Sequence, residues 1–218
     1  MRINAKALIA LVACLMIAGS AFSATVTVSS SQIINGYMNV YDLGYNYLWG
    51  SGWGFADLVA SFSGDNLTLS PNVIGDPDPY WYIGGGAPGH AGNKIMFADS
   101  YAQVDDGSYA GQTLTFTGTV LTNSLTSAHV AKVFIRDFAP DFSSFNQQVI
   151  DMPASGEFAL SLNLVNDPAR HVQWGFEMIG ACVWYTDVAP FGSVTVAPFV
   201  PVGTQDAASF GNVKAMFR

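Results

Sequence analysis

Eight residues from Thr113 to Val120 (TLTFTGTV) carry threonine at every odd position and at no even one. A period of two is the signature of an extended strand, whose successive side chains leave on opposite faces. Leu114, Phe116 and Val120 therefore point to a core while the threonines point away. The same alternation recurs in Phe158–Leu164 (FALSLNL) and in His171–Met178, where Val172, Trp174, Phe176 and Met178 share the inward face. Further strands are expected at Thr25–Ser29, Leu58–Phe62, Leu67–Ser70, Tyr80–Ile83, Lys94–Tyr101, Val130–Phe138 and Ser193–Ala197.

Between these runs stand turn-forming clusters: Ser63-Gly64-Asp65-Asn66, Gly75-Asp76-Pro77-Asp78-Pro79, Asp105-Asp106-Gly107 and Asn166-Asp167-Pro168. Among the acids only Glu157 and Glu177 are glutamate; the rest are aspartate, which favours turns over helices. No segment after the first two dozen residues carries a capped stripe of helical period. Many short strands separated by Gly and Pro predict an all-β chain, a two-sheet antiparallel β-sandwich in jelly-roll order.

The N-terminal segment reads as an export signal. Arg2 and Lys6 precede an apolar run, Ala7–Ala18, which is shorter than a membrane-spanning helix and ends in small residues. Cleavage is expected after Ser23. This divides the chain into a signal peptide at 1–23, a sandwich domain at 24–199 and a loosely ordered tail at 200–218, with a secreted or periplasmic destination. Leu11-Val12-Ala13-Cys14 matches the acylation pattern of bacterial lipoproteins, but the apolar run continues past Cys14, which argues against a lipid anchor there. No membrane span is expected.

Removing the leader leaves six cations against sixteen acidic residues, a formal balance of −10. Such a surface repels nucleic acid phosphates and anionic headgroups, excluding both as natural partners. Cys182 is then the one cysteine left, so no disulfide forms within the chain. Its apolar neighbours predict a buried thiol.

Catalytic signatures are absent: there is no nucleophile elbow, no zinc-binding His-Glu-x-x-His, no phosphate loop and no paired-cysteine motif. His90, His129 and His171 lie far apart in sequence. The latter two begin expected strands, where a solvated or edge histidine is the usual case. The glycine-rich stretch Gly84–Gly92 lacks a following helix and reads as a connection. Asp76 and Asp78, and Asp105 and Asp106, offer the hard oxygens that calcium prefers, but neither pair has a calcium-loop spacing and Asx turns explain both. No cofactor is called for beyond a structural calcium at those positions.

Aromatic residues suggest more. Tyr45, Tyr47, Trp49 and Trp53 crowd one glycine-rich stretch, and Tyr80, Trp81 and Tyr82 another. In a strand, Tyr80 and Tyr82 would face one way and Trp81 the other, so one side of the triplet would be exposed to stack on sugar rings. A second candidate surface follows from parity. In Val130–Phe138, Ala131, Val133 and Ile135 face inward, leaving Lys132, Phe134 and Arg136 outside. His171, Gln173 and Glu177 lie outside on the later strand. If the two strands share a sheet, these residues line one polar, partly aromatic face. It suits a saccharide groove, and equally a solvated face of ion pairs.

The segments GQTLTFTGTVLTN, HVAKVFIRDF, GEFALSLNL and FGSVTVAP, from Gly111 to Ala197, resemble in order and rhythm the carbohydrate-binding jelly rolls attached to secreted bacterial glycanases. Trp81–Met96 (WYIGGGAPGHAGNKIM) is similar to a segment of uncharacterised secreted bacterial proteins, from which no activity carries over. The first resemblance implies a non-catalytic protein that binds polysaccharide or a cell-surface glycan through exposed aromatics and a polar sheet face. The alternatives are an extracellular surface or matrix scaffold without a small ligand, and a glycan hydrolase or lyase.

Overall fold

The computed structural model describes residues 22–201. The expected leader and tail lie almost wholly outside this range, as does Cys14. The described chain is a sandwich of two six-stranded sheets. No helix among the described residues is long and apolar enough to cross a membrane.

One sheet has at its centre β7 (Thr113–Asn123). On one side β7 pairs antiparallel with β10 (Gly156–Asn163). Its other side is shared end to end. The first half, Thr113–Thr117, takes β1 (Ser23–Thr27) and the second half takes β12 (Val194–Ala197). The sheet continues from β12 through β5 (Asn66–Leu69) to β4 (Ala60–Ser63). Contrary to the expectation of purely antiparallel sheets, β1 runs parallel to β7. No hairpin joins them, so nothing in the connectivity enforces opposite directions.

The second sheet is antiparallel throughout, in the order β3 (Tyr47–Gly52), β2 (Asn35–Tyr41), β6 (Ile95–Val104), β11 (His171–Ala181), β8 (His129–Phe138) and β9 (Phe145–Asp151). Its inner face carries Met38, Val40, Ala98, Ala131, Val133, Ile135, Trp174, Phe176 and Met178, all buried. Opposite stand Leu67, Leu69, Leu114, Phe116, Phe158, Leu160, Val194 and Val196. Phe116 and Phe158 lie 5.4 Å apart, and Phe176 of the other sheet lies 5.4 Å from the first and 6.0 Å from the second. Each such ring contributes about 1.5–3 kcal/mol by leaving water. Gly118 makes room for this triad: a Cβ there would sit 2.5 Å from the Phe158 ring.

Three strands, β2, β3 and β9, go unexpected from sequence. No residue of β9 (FNQQVID) is fully buried, so this edge strand shows no apolar alternation. One expected strand, Tyr80–Ile83, is instead a turn with an isolated bridge from Tyr82 to Gly92. Asx turns at Asp76 and Asp78 cap the backbone there: Asp76 accepts from Asp78 N–H and Asp78 from Tyr80 N–H. Two single 3-10 turns, Phe55–Leu58 and Ala189–Phe191, complete the secondary structure.

Candidate functional site

The outer face of the second sheet is a groove of about 910 Å³. β8 and β11 are neighbours in this sheet, with Arg136 opposite Gln173 and Lys132 opposite Glu177. Pleating then sends Lys132, Arg136, Gln173 and Glu177 to the same side. On the other flank of β11, Asp99 of β6 stands opposite Glu177. A rung of the floor therefore reads Tyr37, Asp99, Glu177, Lys132, Asp151 across five strands.

Arg136 organises this floor. Its Nη1 donates to Asp99 at 2.6 Å and its Nη2 to Glu177 at 2.7 Å. The guanidinium lies 3.9 Å over the Phe134 ring, a cation–π contact that also seals Phe134 from solvent. The other oxygen of Asp99, Oδ1, is buried without a hydrogen-bond partner. Burial of Asp99, and then the neighbouring Glu177, push its carboxyl up to about 8 against the pull of Arg136. At neutral pH Asp99 thus keeps its proton, which lessens the charge opposed across the pair. Lys132 is matched by Asp151 at 2.6 Å, so the rest of the floor is balanced too.

Around this cluster the floor is amide and phenol. Gln173 donates to Gln103 at 2.7 Å. Tyr37, Asn39, Tyr101 and Gln147 also line the groove. Burial, followed by the charge of Asp99, raises the Tyr101 hydroxyl, which stays protonated as a donor. Gly175 keeps the floor low between Tyr101 and Phe134: a Cβ there would lie 2.7 Å from the Tyr101 Cα.

Aromatic banks stand at diagonally opposite corners. On the β2–β6 side, Tyr41 packs on Phe97 at 4.6 Å, with Tyr45 and Tyr47 against them. At the β8–β9 corner Phe138 packs on Phe142 and Phe145, and Phe142 stacks on His171 at 4.1 Å. Phe97 and the rung of His171 are eight residues apart along β6, about 27 Å at strand rise. Phe142 and Phe145 are about half exposed.

His171 sits on the rim between two acceptors, its Nδ1 2.7 Å from Asp105 and its Nε2 3.2 Å from the Pro140 carbonyl. The Asp105 bond above all raises its basicity. Asp105 is thereby engaged in an ion pair, and Asp106 accepts from the Ser108 N–H in an Asx turn. The carboxylates considered for calcium are thus drawn into local structure. Among the described residues no three His, Cys, Asp or Glu side chains gather to hold a metal ion.

Within the Tyr80–Tyr82 triplet exposure is divided: Tyr80 is exposed and Trp81 half-buried. Tyr82 is fully buried, its hydroxyl donating to the Ile74 carbonyl at 2.6 Å, and its pKa is pushed up to about 12 by burial. Trp81 packs edge to face against Trp49 and Tyr80. Tyr80 accepts from the Trp49 indole and lies under the Lys94 ammonium, 4.2 Å from the ring centre. These rings bind one another across the end of the sheet. His129, expected at a solvated edge, is buried, with Nε2 donating to the Ala181 carbonyl; its neighbour across the pair is Gly180, whose missing Cβ leaves space for the imidazole. Cys182 is buried as expected.

Asp99, Tyr37, Tyr41, Phe97, Tyr101, Phe142 and Phe145 escape the sequence reading. For β6 the signal exists: Met96, Ala98 and Ala102 alternate with Phe97, Asp99, Tyr101 and Gln103. What the sequence lacks is the strand order that sets this polar face beside β11.

No family model matches the chain, and no curated protein does. A solved structure from a study of the promiscuous specificity of carbohydrate-binding modules of the β-sandwich superfamily is similar, with 12% identity, covering 78% of this chain and 84% of that one, at a TM-score of 0.32.

Proposed function

We propose that this is an exported, non-catalytic protein that binds an extended stretch of neutral polysaccharide along the outer face of the β3–β2–β6–β11–β8–β9 sheet. The observation that carries the reading is the pair of aromatic banks, Tyr41–Phe97 and Phe138–Phe142–Phe145, at either end of a floor of amides, phenols and paired charges. Ring faces suit the C–H surfaces of sugars, and amides and phenols suit their hydroxyls. The balanced charge of the floor favours a neutral glycan over a uronate or sulfated one. Non-catalytic binding is supported by Arg136, which engages both Asp99 and Glu177; neither is a free carboxylate placed to attack or protonate a glycosidic oxygen. The Arg2–Ser23 leader supports export.

The test is a pull-down on insoluble cellulose, xylan, mannan and chitin, with a soluble glycan array alongside. Retention on a neutral polysaccharide that falls at least about tenfold in Phe142→Ala/Phe145→Ala supports the reading. Failure to bind any of them, or retention indifferent to the double substitution, overturns it.

A further inference from the structure

At the far end of β11 from His171 the sandwich closes over a second cavity, about 610 Å³, distinct from the groove and on no part of it. The loop after Gly84, the start of β8, the end of β11 and the 3-10 turn at Ala189–Phe191 form its walls. Its volume is that of a small-molecule site. Ala91, Val183, Pro190 and Phe191 give it an apolar body.

Its polar atoms are one-sided. The side-chain hydrogen-bond donors around it are spent inside the protein. Gly89 N–H donates to Asp187 at 2.6 Å, the Thr186 hydroxyl to the same carboxylate at 2.8 Å and the Cys182 thiol to the Trp81 carbonyl. The backbone N–H groups of His90, His129, Cys182, Val183 and Phe191 all reach carbonyls.

What the side chains leave open are acceptors. His129 donates through Nε2 to Ala181, so its Nδ1 carries the lone pair, and that atom is buried with no partner. His90 makes its bond to the Gly85 carbonyl through Nδ1, which must then hold the proton and leaves Nε2 as an acceptor. Asp187 adds a negative charge, held ionised by the Gly89 and Thr186 bonds. A buried acceptor without a donor is unfavourable, and a donor-bearing ligand relieves this.

We propose that this cavity binds a small organic cation, a protonated amine carried on a compact apolar body such as an aromatic ring. The ammonium faces Asp187 and the two imidazole acceptors, and the ring packs against Phe191 and Val183. An alcohol of the same shape offers one donor and no charge, so it leaves the carboxylate uncompensated.

Benzylamine and benzyl alcohol are matched probes for the purified protein, read by isothermal titration and by ¹⁵N resonances of the histidine rings at pH 7.5. Saturable benzylamine binding that exceeds benzyl alcohol binding by about tenfold or more, with a shift at His129 Nδ1, is the expected result. In Asp187→Asn the preference for the amine collapses. Equal affinity for the two probes, no saturable binding of benzylamine, an unmoved His129 signal, or a preference that survives Asp187→Asn each overturns the proposal. The comparison of probes on the unsubstituted protein decides the matter even where the variant folds poorly.

Discussion

Asp99 and Glu177 face each other directly across β6 and β11, and one guanidinium, that of Arg136, binds both. Like charges opposed on neighbouring strands are ordinarily destabilising. Here the repulsion is relieved twice, by the arginine fork and by the proton that burial keeps on Asp99. The consequence is an unusual pH dependence. The folded state keeps a proton on Asp99 up to about pH 8, whereas the unfolded chain releases it near its ordinary value of 3.8. Folded protein therefore binds more protons than unfolded across that window, and this group's contribution to stability falls as pH rises.

Asp99→Asn is expected to remove that slope. Asparagine keeps an acceptor for Arg136 and offers a permanent donor to Glu177. Urea unfolding at pH 5 and at pH 8.5 measures it: the wild type loses on the order of a few kcal/mol between the two, and the variant distinctly less. An equal loss in both would place the proton elsewhere.

Arg136→Met should be among the most damaging single changes on this face. It leaves two buried carboxyls without their shared cation, and breaking such a cluster typically destabilises by about 3–5 kcal/mol. The double variant Asp99→Asn/Glu177→Gln in the Arg136→Met background is expected to recover much of the loss. Arg136→Lys keeps the charge but cannot reach both acids with one planar fork, and its midpoint in urea should fall between the two.

His171 supplies a second, smaller pH effect of known sign. Its folded basicity is raised, chiefly by Asp105, so its contribution is complete below the ordinary imidazole value and is lost as pH rises through the raised one. Because Asp105 is half exposed, the effect is about 1 kcal/mol or less. His171→Gln should melt lower than wild type at pH 5.5, and the gap should close by pH 9. A gap that widens with pH contradicts the pairing.

Gly118 tests the core. Gly118→Ala places a methyl against Phe158 and Val28, and overpacking of this kind is expected to destabilise by about 1–3 kcal/mol, seen as a lower denaturation midpoint with an unchanged slope. Phe158→Leu in the same chain should relieve part of it.

The two aromatic clusters are expected to separate by phenotype. Substituting Phe142 and Phe145 with alanine should weaken polysaccharide retention at nearly constant Tm, since both rings are half exposed. Tyr82→Phe should lower Tm by removing the hydroxyl that bonds Ile74 and Val183, and leave retention unchanged. The reverse pattern would move the site to the end of the sheet.

The alternation of β7, β8, β10 and β11 made these strands legible, because each sets apolar residues toward the core and polar ones among those on its other face. The same parity brought Lys132, Arg136, Gln173 and Glu177 to one side before any strand order was known. Asp99 stayed hidden for a different reason. Its importance lies in a neighbour some eighty residues away, and register between distant strands leaves no local mark. The Tyr80–Tyr82 triplet misled because a run of aromatics resembles a strand by composition, whereas Asp76, Pro77, Asp78 and Pro79 had already turned the backbone. Edge strand β9 was invisible since an exposed strand has no reason to alternate.

The four residues of β12 have a reach out of proportion to their number. Val194–Ala197 form the single rung joining the β4–β5 hairpin to β7, and they complete the edge that β1 begins. The earliest and latest strands of the described chain are thus laid nose to tail beside the same partner. Synthesis can deliver every other strand and still leave that sheet in two pieces. Assembly must wait for a pairing of very long sequence separation, a slow step that leaves strand edges open in the meantime. A chain built this way depends on whatever shields its open edges until its last strand arrives.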